Sequence, residues 1–186
     1  MPHPMNSYPA DKVTWVKAPS RNAESDNKPV AELVAKVLAD VKARGDAAVR
    51  DYSVQFDKAE IGALEVTMAE REAAVAALDP QTRADTQFAI DNVTAFARAQ
   101  LATILPLEVE TLPGIHLGHR VIPIERVGCY VPGGRYPLLS APVMTIVPAR
   151  VAGVKEVIAC LPPNAHQAMI AGCHLSGADR IFRVGG

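Results

Sequence analysis

The sequence lacks several features that mark specialised classes of protein. Its three cysteines, Cys129, Cys160 and Cys173, form no close pair among 186 residues, which argues against a disulfide framework and fits a reducing compartment. Lysine plus arginine number 19 against 20 aspartate plus glutamate, so the basic surplus typical of nucleic-acid-binding proteins is absent. No stretch approaches the roughly 18 apolar residues of a membrane span. We therefore expect a cytoplasmic protein with neither a nucleic-acid nor a membrane partner.

Motifs that would fix a chemistry on their own are also missing. The dinucleotide fingerprint G-x-G-x-x-G does not occur. His116 and His119 are three positions apart on a predicted strand, and an odd spacing places side chains on opposite faces. They should therefore not point to one metal ion. Cys173 and His174 are neighbours on a predicted helix and point apart by about 100 degrees, which makes His174 a predicted helix-surface residue. No metal-ligand set and no catalytic triad can be assembled from these residues.

The first predicted segment is an N-terminal arm at residues 1–28. It contains four prolines, several polar residues and the only tryptophan, Trp15, without the periodicity of a helix or strand. Such a segment cannot bury a face of its own, so we expect Trp15 to dock on another part of the protein or on a partner subunit.

The second predicted segment, residues 29–126, is a helical layer followed by a β-hairpin. Apolar residues recur with helical spacing from Val30 to Val41 and predict one buried stripe, with Gly45 as the stop. Cap signals predict the starts of three further helices. These signals are Asp46, the capping-box pair Thr67 and Glu70 for a helix to about Leu78, and Asp79 before Pro80.

The hairpin is predicted from alternation after Pro106. Leu107, Val109 and Thr111 alternate with glutamates, which is typical of a half-buried strand. Pro113-Gly114 is a turn dipeptide, and the apolar residues from Ile115 onward predict the returning strand.

The third predicted segment, residues 127–186, has a different rhythm. Short apolar runs at 127–131, 157–161 and 181–184 alternate with helices of about a dozen residues. Ser140 and Asn164 are the expected caps of those helices, Pro148 is expected to kink the first, and Gly177 to end the second. The pattern predicts an α/β fold in which β-α-β-α-β forms half of a Rossmann-like dinucleotide-binding domain. A strand leading into Gly185-Gly186 normally feeds another loop and helix, so we expect this fold to be truncated.

The best candidate site is the turn after the first of these strands, Cys129-Tyr130-Val131-Pro132-Gly133-Gly134. Open α/β sheets bind ligands outside the carboxyl ends of their strands, and glycines let a ligand approach the backbone. The motif alone fits a plain tight turn equally well.

Four stretches of the chain resemble the histidinol dehydrogenase family. The similarity runs from about residue 29 to the end, and its most specific part is Tyr-Val-Pro-Gly-Gly. The stretches are VLADVKARGD with AVRDY and FD at 37–57, VGCYVPGG at 127–134, PARVAGV at 148–154 and VGG at 184–186.

The resemblance implies a zinc-dependent homodimer that oxidises an alcohol to a carboxylate in two hydride transfers to NAD, with an aldehyde held between them. It also implies two incomplete Rossmann-like domains and a contact between Tyr130 and NAD. The family's zinc ligands and its Glu-His acid–base pair have no counterpart here and are expected beyond residue 186. The 186-residue chain alone is accordingly expected to hold no zinc and to oxidise no alcohol.

One departure from the family pattern leaves the substrate open between two alcohols. Most members follow Pro-Gly-Gly with small residues, whereas Arg135-Tyr136-Pro137-Leu138-Leu139 follows here and looks more like the branch that includes sulfopropanediol dehydrogenases. L-histidinol is the default substrate and 2,3-dihydroxypropane-1-sulfonate the alternative. Arg135 has three candidate roles: a solvated loop residue, a contact to the NAD pyrophosphate, or a contact to an anionic substrate. A hypothesis of another class is a non-catalytic chain that acts only through association.

Overall fold

The computed structural model of the chain describes residues 28–133 and 136–185. These residues form six α-helices, one short π-helix at Ser53–Asp57 and five strands. In chain order the elements are α1 (Lys28–Arg44), α2 (Asp46–Tyr52), α3 (Met68–Ala76), α4 (Pro80–Ala102), β1 (Leu107–Leu112), β2 (Ile115–His119), β3 (Arg126–Tyr130), α5 (Ser140–Val151), β4 (Glu156–Leu161), α6 (Gln167–Leu175) and β5 (Arg180–Arg183).

The chain divides into two compact units, whose described residues are 28–44 in the first and 45–133 and 136–185 in the second. The predicted arm, with Trp15, lies outside the described residues except for its last residue, which begins α1. The division at residues 28 and 126 stays a prediction. Among the described residues, no helix has the length and apolar character needed to cross a membrane.

Helix α1 forms where the apolar periodicity predicts it and ends at Arg44, before Gly45. Its last turn is held by Arg44, whose Nε and Nη2 each donate to the Asp40 carboxylate over 2.7 Å. The predicted burial of its apolar stripe is wrong, because its largest members are exposed. These are Val30, Leu33, Val34 and Leu38, between 46 and 64% exposed. Periodicity determines that one side of a helix is apolar, but it carries no information about what covers that side.

The cap signals of α3 and α4 are confirmed in atomic detail. Thr67 and Glu70 form a reciprocal capping box, with the Thr67 amide donating to Glu70 Oε2 over 2.8 Å. Asp79 Oδ1 accepts from the Thr82 amide over 2.9 Å, and Pro80 is the first residue of α4. These side chains satisfy amides that the first helical turn leaves without a partner.

Three other predicted caps are wrong. Gly45 occupies the cap position of α2, and Asp46 is its first residue, where a negative charge suits the helix dipole. Leu139 precedes α5 without a side-chain hydrogen bond, so Ser140 is helical. His166, not Asn164, caps α6, its Nδ1 accepting from the Ala168 amide over 3.2 Å. A Ser, Asp or Asn marks a helix start only to within a residue or two.

The hairpin is confirmed, but its predicted half-burial is wrong. Strands β1 and β2 pair antiparallel with one irregularity before the turn, where Gly114 has φ +81° and donates its amide to Glu110 Oε1 over 2.7 Å. Every residue of both strands is exposed. Alternation predicts that a strand has one apolar face, and within residues 28–133 and 136–185 that face stays uncovered.

The predicted β-α-β-α-β order is present as a parallel three-stranded sheet in the order β3-β4-β5. Helices α5 and α6 connect the strands, and Gly177, with φ +95°, ends α6 as predicted. Pro148 lies inside α5 as expected, and its kink stays a prediction. The core is formed where alternate strand residues meet α5 and α6, while α3 packs on α6 and α4 on α5. Its largest fully buried members are Ile146, Leu161, Met169, Ile181, Val131 and Val157.

A short segment that the sequence did not predict covers the β5 edge of this sheet. The Val66 amide donates to the Ile181 carbonyl over 2.9 Å, and the Arg183 amide donates to the Leu64 carbonyl over 2.7 Å. Arg180 pairs with the Glu65 carboxylate through two hydrogen bonds of 2.9 and 2.7 Å. Pairing of this kind satisfies backbone groups that an edge strand would otherwise present to solvent.

A network centred on Asp179 ties the amino ends of the strands to the helices. Its carboxylate accepts from the Val157 amide over 2.7 Å and pairs with Arg150, whose Nε donates to the Gly177 carbonyl over 2.6 Å. Burial raises the pKa of Asp179, but hydrogen bonds from Arg150 and Val157 outweigh it and hold that pKa below its usual range. Arg71, buried on α3, donates to the main-chain carbonyls of Ala178 and Asp179.

Replacing Arg71 with methionine should lower the free energy of unfolding by about 3 kcal/mol, because two carbonyls lose charged donors while the volume is kept. Arg83→Met on α4 is the matched control, since Arg83 is exposed, and it should change stability by no more than about 0.5 kcal/mol. Urea titrations followed by circular dichroism measure both values. Equal, small losses for the two variants would contradict a stabilising role for Arg71.

Candidate functional site

The carboxyl ends of β3, β4 and β5 meet at one edge of the sheet because all three strands are parallel. The loops that leave them begin at Val131, Pro162 and Val184. The Val131 amide donates to the Cys160 carbonyl over 2.9 Å, so the contact between β3 and β4 continues one residue past β3. Ligands of open α/β sheets bind outside this edge, which makes it the first place to look for a site.

Tyr130 is the large side chain that this edge presents to solvent, with 54% of its surface exposed. Alternation along β3 buries Cys129 against α5, where its Sγ lies 3.6 Å from the Thr145 carbonyl oxygen. Tyr130 therefore points to the opposite face of the sheet. Its position at the strand end agrees with the sequence analysis, and its predicted role in NAD binding stays a prediction.

Gly185, in the loop after β5, lies directly beside the Tyr130 ring. A Cβ built on Gly185 would lie 3.5 Å from Tyr130 Cε2 and 3.8 Å from Cδ2. Gly185 also has φ +110°, a backbone conformation that residues with a Cβ rarely adopt. A side chain at position 185 would therefore contact the Tyr130 ring, and glycine leaves that space free.

Gly133 has a packing reason to be glycine. A Cβ at this position would lie 2.5 Å from Pro162 Cγ, so the loop after β3 touches the loop after β4 with no room for a side chain. This contact accounts for glycine at position 133 without any ligand. Gly133 therefore does not distinguish a tight turn from a cofactor-binding loop. Gly134 and Arg135 lie outside the described residues.

The helix dipoles favour negative charge at this edge. Helices α5 and α6 each connect two parallel strands and run back along the sheet, so their amino termini lie at the same edge as Tyr130. No side chain caps the start of α5, whereas the imidazole of His166 caps α6. An anionic group of a ligand would be stabilised near such helix starts.

Burial raises the pKa of all three cysteines, which disfavours the thiolate form that a nucleophile needs. Cys129 is a buried core residue, and burial raises its pKa. Cys160 is half-buried, and burial raises its pKa as well. Burial raises the pKa of Cys173 to about 12, so its thiolate is scarce near neutral pH.

His116 and His119 contact different groups and share no site. His116 Nδ1 lies 3.5 Å from Glu108 Oε1, whereas His119 Nε2 lies 2.8 Å from the Leu105 carbonyl oxygen. His174 is not the surface residue that was predicted: it is half-buried, and burial lowers its pKa. Its packing between helices explains this, because α6 is covered by α3. Within the described ranges, no three His, Cys, Asp or Glu side chains come together as metal ligands.

Comparison with known proteins decides the family. Residues 20–186 match the family model for histidinol dehydrogenase. The chain belongs to the histidinol dehydrogenase family. The resemblance inferred from the Tyr-Val-Pro-Gly-Gly segment is therefore confirmed.

Two curated relatives have different names at similar identity. Histidinol dehydrogenase homolog 1 of Mesorhizobium japonicum is 45% identical over 163 residues, which is 86% of this chain and 33% of the relative. Sulfopropanediol 3-dehydrogenase of Ruegeria pomeroyi is 40% identical over 178 residues, which is 94% of this chain and 41% of the relative. The chain thus spans about a third to two fifths of their length.

A solved structure supports the mixed α/β fold. The crystal structure of histidinol dehydrogenase from Elizabethkingia anophelis superposes with a TM-score of 0.79 at 31% identity. The similarity covers 91% of this chain and 39% of that one. The order of helices and small sheets described above is therefore the fold of this family's corresponding part.

Proposed function

We propose that this chain supplies the NAD-binding part of an NAD- and zinc-dependent alcohol dehydrogenase. L-histidinol, oxidised through the aldehyde to L-histidine, is the substrate that family membership favours. The observation that carries the proposal is the half-exposed Tyr130 beside Gly185, at the carboxyl edge of a parallel sheet, in a member of this family. The sheet is proposed to be half of an incomplete Rossmann-like domain.

The described residues at this edge fit a dinucleotide. The Tyr130 ring offers an apolar surface to a flat heterocycle, and its hydroxyl is free to reach a polar group. The uncapped start of α5 favours a pyrophosphate, and Gly185 brings backbone close to the ring without a side chain in the way. NAD, when bound, supplies the hydride acceptor for the oxidation. The residues of this chain bind and orient it.

Zinc does not fit the described residues, which contain no convergent set of three ligands. We propose that the zinc ligands and the acid–base pair belong to the part of the family fold that this chain does not span, beyond residue 186. The 186-residue chain is accordingly proposed to be inactive toward alcohols by itself.

We further propose that the complete enzyme is a cytoplasmic homodimer. The exposed apolar hairpin supports association, since Leu107, Val109 and Leu117 are between 44 and 58% exposed. Monomeric proteins rarely leave contiguous apolar surface uncovered.

A sulfonated diol is the second candidate substrate. Arg135, in place of the small residues typical of the family, motivates it, as does the 40% identity to a relative named sulfopropanediol 3-dehydrogenase. A guanidinium pairs with sulfonate oxygens through charge-assisted hydrogen bonds, whereas the amine of histidinol is itself cationic and gains nothing from it.

Replacing Tyr130 with alanine should raise the dissociation constant of NAD about tenfold, because the cofactor loses an aromatic surface worth roughly 1.4 kcal/mol. Isothermal titration calorimetry on the 186-residue chain measures it. Tyr136→Ala is the matched control, since Tyr136 is 73% exposed and follows the same strand, and it should leave the constant unchanged. An NAD constant unaffected by Tyr130→Ala, with only the thermal stability lowered, would make Tyr130 a structural residue, whereas no NAD binding by the unsubstituted chain would favour a non-catalytic association module.

Replacing Arg135 with serine in a complete enzyme that contains this chain should separate the three roles of Arg135. A fall of tenfold or more in kcat/KM for 2,3-dihydroxypropane-1-sulfonate alone, about 1.4 kcal/mol, is expected if Arg135 binds the sulfonate. Equal losses for histidinol and the diol, with a raised KM for NAD, would assign Arg135 to the pyrophosphate. Unchanged kinetics for all three compounds would contradict any binding role.

A further inference from the structure

We infer that the outer edge of β3 and the face of the sheet that carries Tyr130 bind the next β-α unit of the complete enzyme. This unit belongs to the part of the family fold that the chain does not span, since the chain covers 33 and 41% of two curated relatives. The loop of the added unit also forms the second wall of the cofactor site, a step that rests on the proposed function.

The sheet has one occupied edge and one open edge. Beside β5, the Val66 amide donates to the Ile181 carbonyl and the Arg183 amide donates to the Leu64 carbonyl, so this edge already has a partner. In the described part of the chain, β3 pairs with β4 alone. A further strand can therefore join the sheet only beside β3.

The backbone of β3 presents hydrogen-bonding groups at the open edge. The Val131 amide donates to the Cys160 carbonyl, so Val131 faces β4. Backbone groups of successive residues in a strand point to opposite neighbours, which turns the N–H and C=O groups of Gly128 and Tyr130 outward. An edge of this kind is a template for another strand.

The two faces of the sheet are covered unequally. One face is buried against α5 and α6, and its central cross-strand row consists of Cys129, Ala159 and Ile181. The adjacent row lies on the other face and is half-buried or exposed; its members are Tyr130, Cys160 and Phe182. Parallel sheets normally have helices on both faces, so the Tyr130 face still has room for a helical layer.

A single reversal of direction along the sheet accounts for both the open edge and the open face. From β3 through β4 to β5 the chain moves in one direction, and α5 and α6 lie on one face. Crossovers between parallel strands are right-handed, so a strand added beside β3 reverses the direction and brings its helix to the Tyr130 face.

The reversal also creates a crevice at Tyr130. The loop after β3 turns toward one face and the loop after the added strand toward the other, and ligands of open α/β sheets bind in the gap between two such loops. Tyr130 lies at the carboxyl end of β3 and is 54% exposed. The loop after the added strand thus faces Tyr130 across the proposed NAD site.

Hydrogen exchange of single amides tests the strand pairing independently of NAD. In the complete enzyme the amides of Gly128 and Tyr130 should exchange about a hundredfold more slowly than in the 186-residue chain. The Val131 and Arg183 amides are the matched reference, because they donate to carbonyls within the chain and should be protected in both proteins.

Two outcomes of the exchange measurement would overturn the inference. One is fast exchange of the Gly128 and Tyr130 amides in the complete enzyme, which would leave the β3 edge without a strand. The other is protection of these amides in the 186-residue chain that increases with its concentration, which would assign the edge to a second copy.

Thiol labelling tests the cover of the Tyr130 face. Cys160 is half-buried on this face, whereas Cys129 and Cys173 are buried and serve as internal controls. N-ethylmaleimide should modify Cys160 about tenfold more slowly in the complete enzyme than in the 186-residue chain, and it should leave both controls unmodified in the two folded proteins. Equal labelling rates for Cys160 would overturn the added helical layer.

The NAD affinities of the two proteins test the second wall. The dissociation constant should be about tenfold higher for the 186-residue chain than for the complete enzyme, because one wall is missing. If the amides of Gly128 and Tyr130 become protected but the two constants are equal, the second wall fails. If neither protein binds NAD, the proposed function fails, and hydrogen exchange still decides the strand pairing.

Discussion

The hydrogen bonds accepted by the carboxylate and the carbonyl of Asp179 hold the parallel sheet and its helices together. The carboxylate joins the start of β4, through the Val157 amide, to α5, through Arg150. The carbonyl accepts from Arg71 of α3 over 2.8 Å. One residue between α6 and β5 thereby fixes two strands and two helices relative to each other. Arg71 is the buried member of this network, so its loss would leave two main-chain carbonyls without charged donors, whereas Arg150 and Asp179 remain in contact with solvent.

Fixing the amino ends of parallel strands also determines what meets at their carboxyl ends. Gly133 lies near Pro162, and Gly185 near Tyr130, because β3, β4 and β5 keep their register over four or five residues. At Gly133 the backbone comes so close to Pro162 that a Cβ would lie 2.5 Å from Pro162 Cγ, whereas at Gly185 a Cβ would be in ordinary contact with Tyr130. The proposed cofactor site therefore contains little flexible side chain, which favours a binding surface formed before the ligand arrives.

Local signals in the sequence predicted what depends on local interactions. Helix α3 begins at the Thr67–Glu70 capping box and α4 at Asp79, as expected, since a cap acts within three residues. The alternating apolar runs predicted the parallel sheet, and the strand-end position of Tyr130 followed from it. Long-range contacts were not predictable, because they join residues far apart in the chain. Examples are the pairing of Leu64 and Val66 with β5, the hydrogen bond from Arg71 to Asp179, and the proximity of Gly185 to Tyr130. Burial of α1 and of the hairpin was predicted wrongly because periodicity indicates an apolar side and not its partner.

We propose that NAD binds at the carboxyl edge of the β3-β4-β5 sheet. Amide chemical-shift mapping of the isotopically labelled 186-residue chain during titration with NAD tests it most directly. Saturable shifts are expected at residues 130–133, 139–141, 162–166 and 184–185, with the largest changes at Tyr130 and its neighbours. Shifts concentrated at the opposite edge, around Val157 and Asp179, or a spectrum unaffected by millimolar NAD would contradict the account.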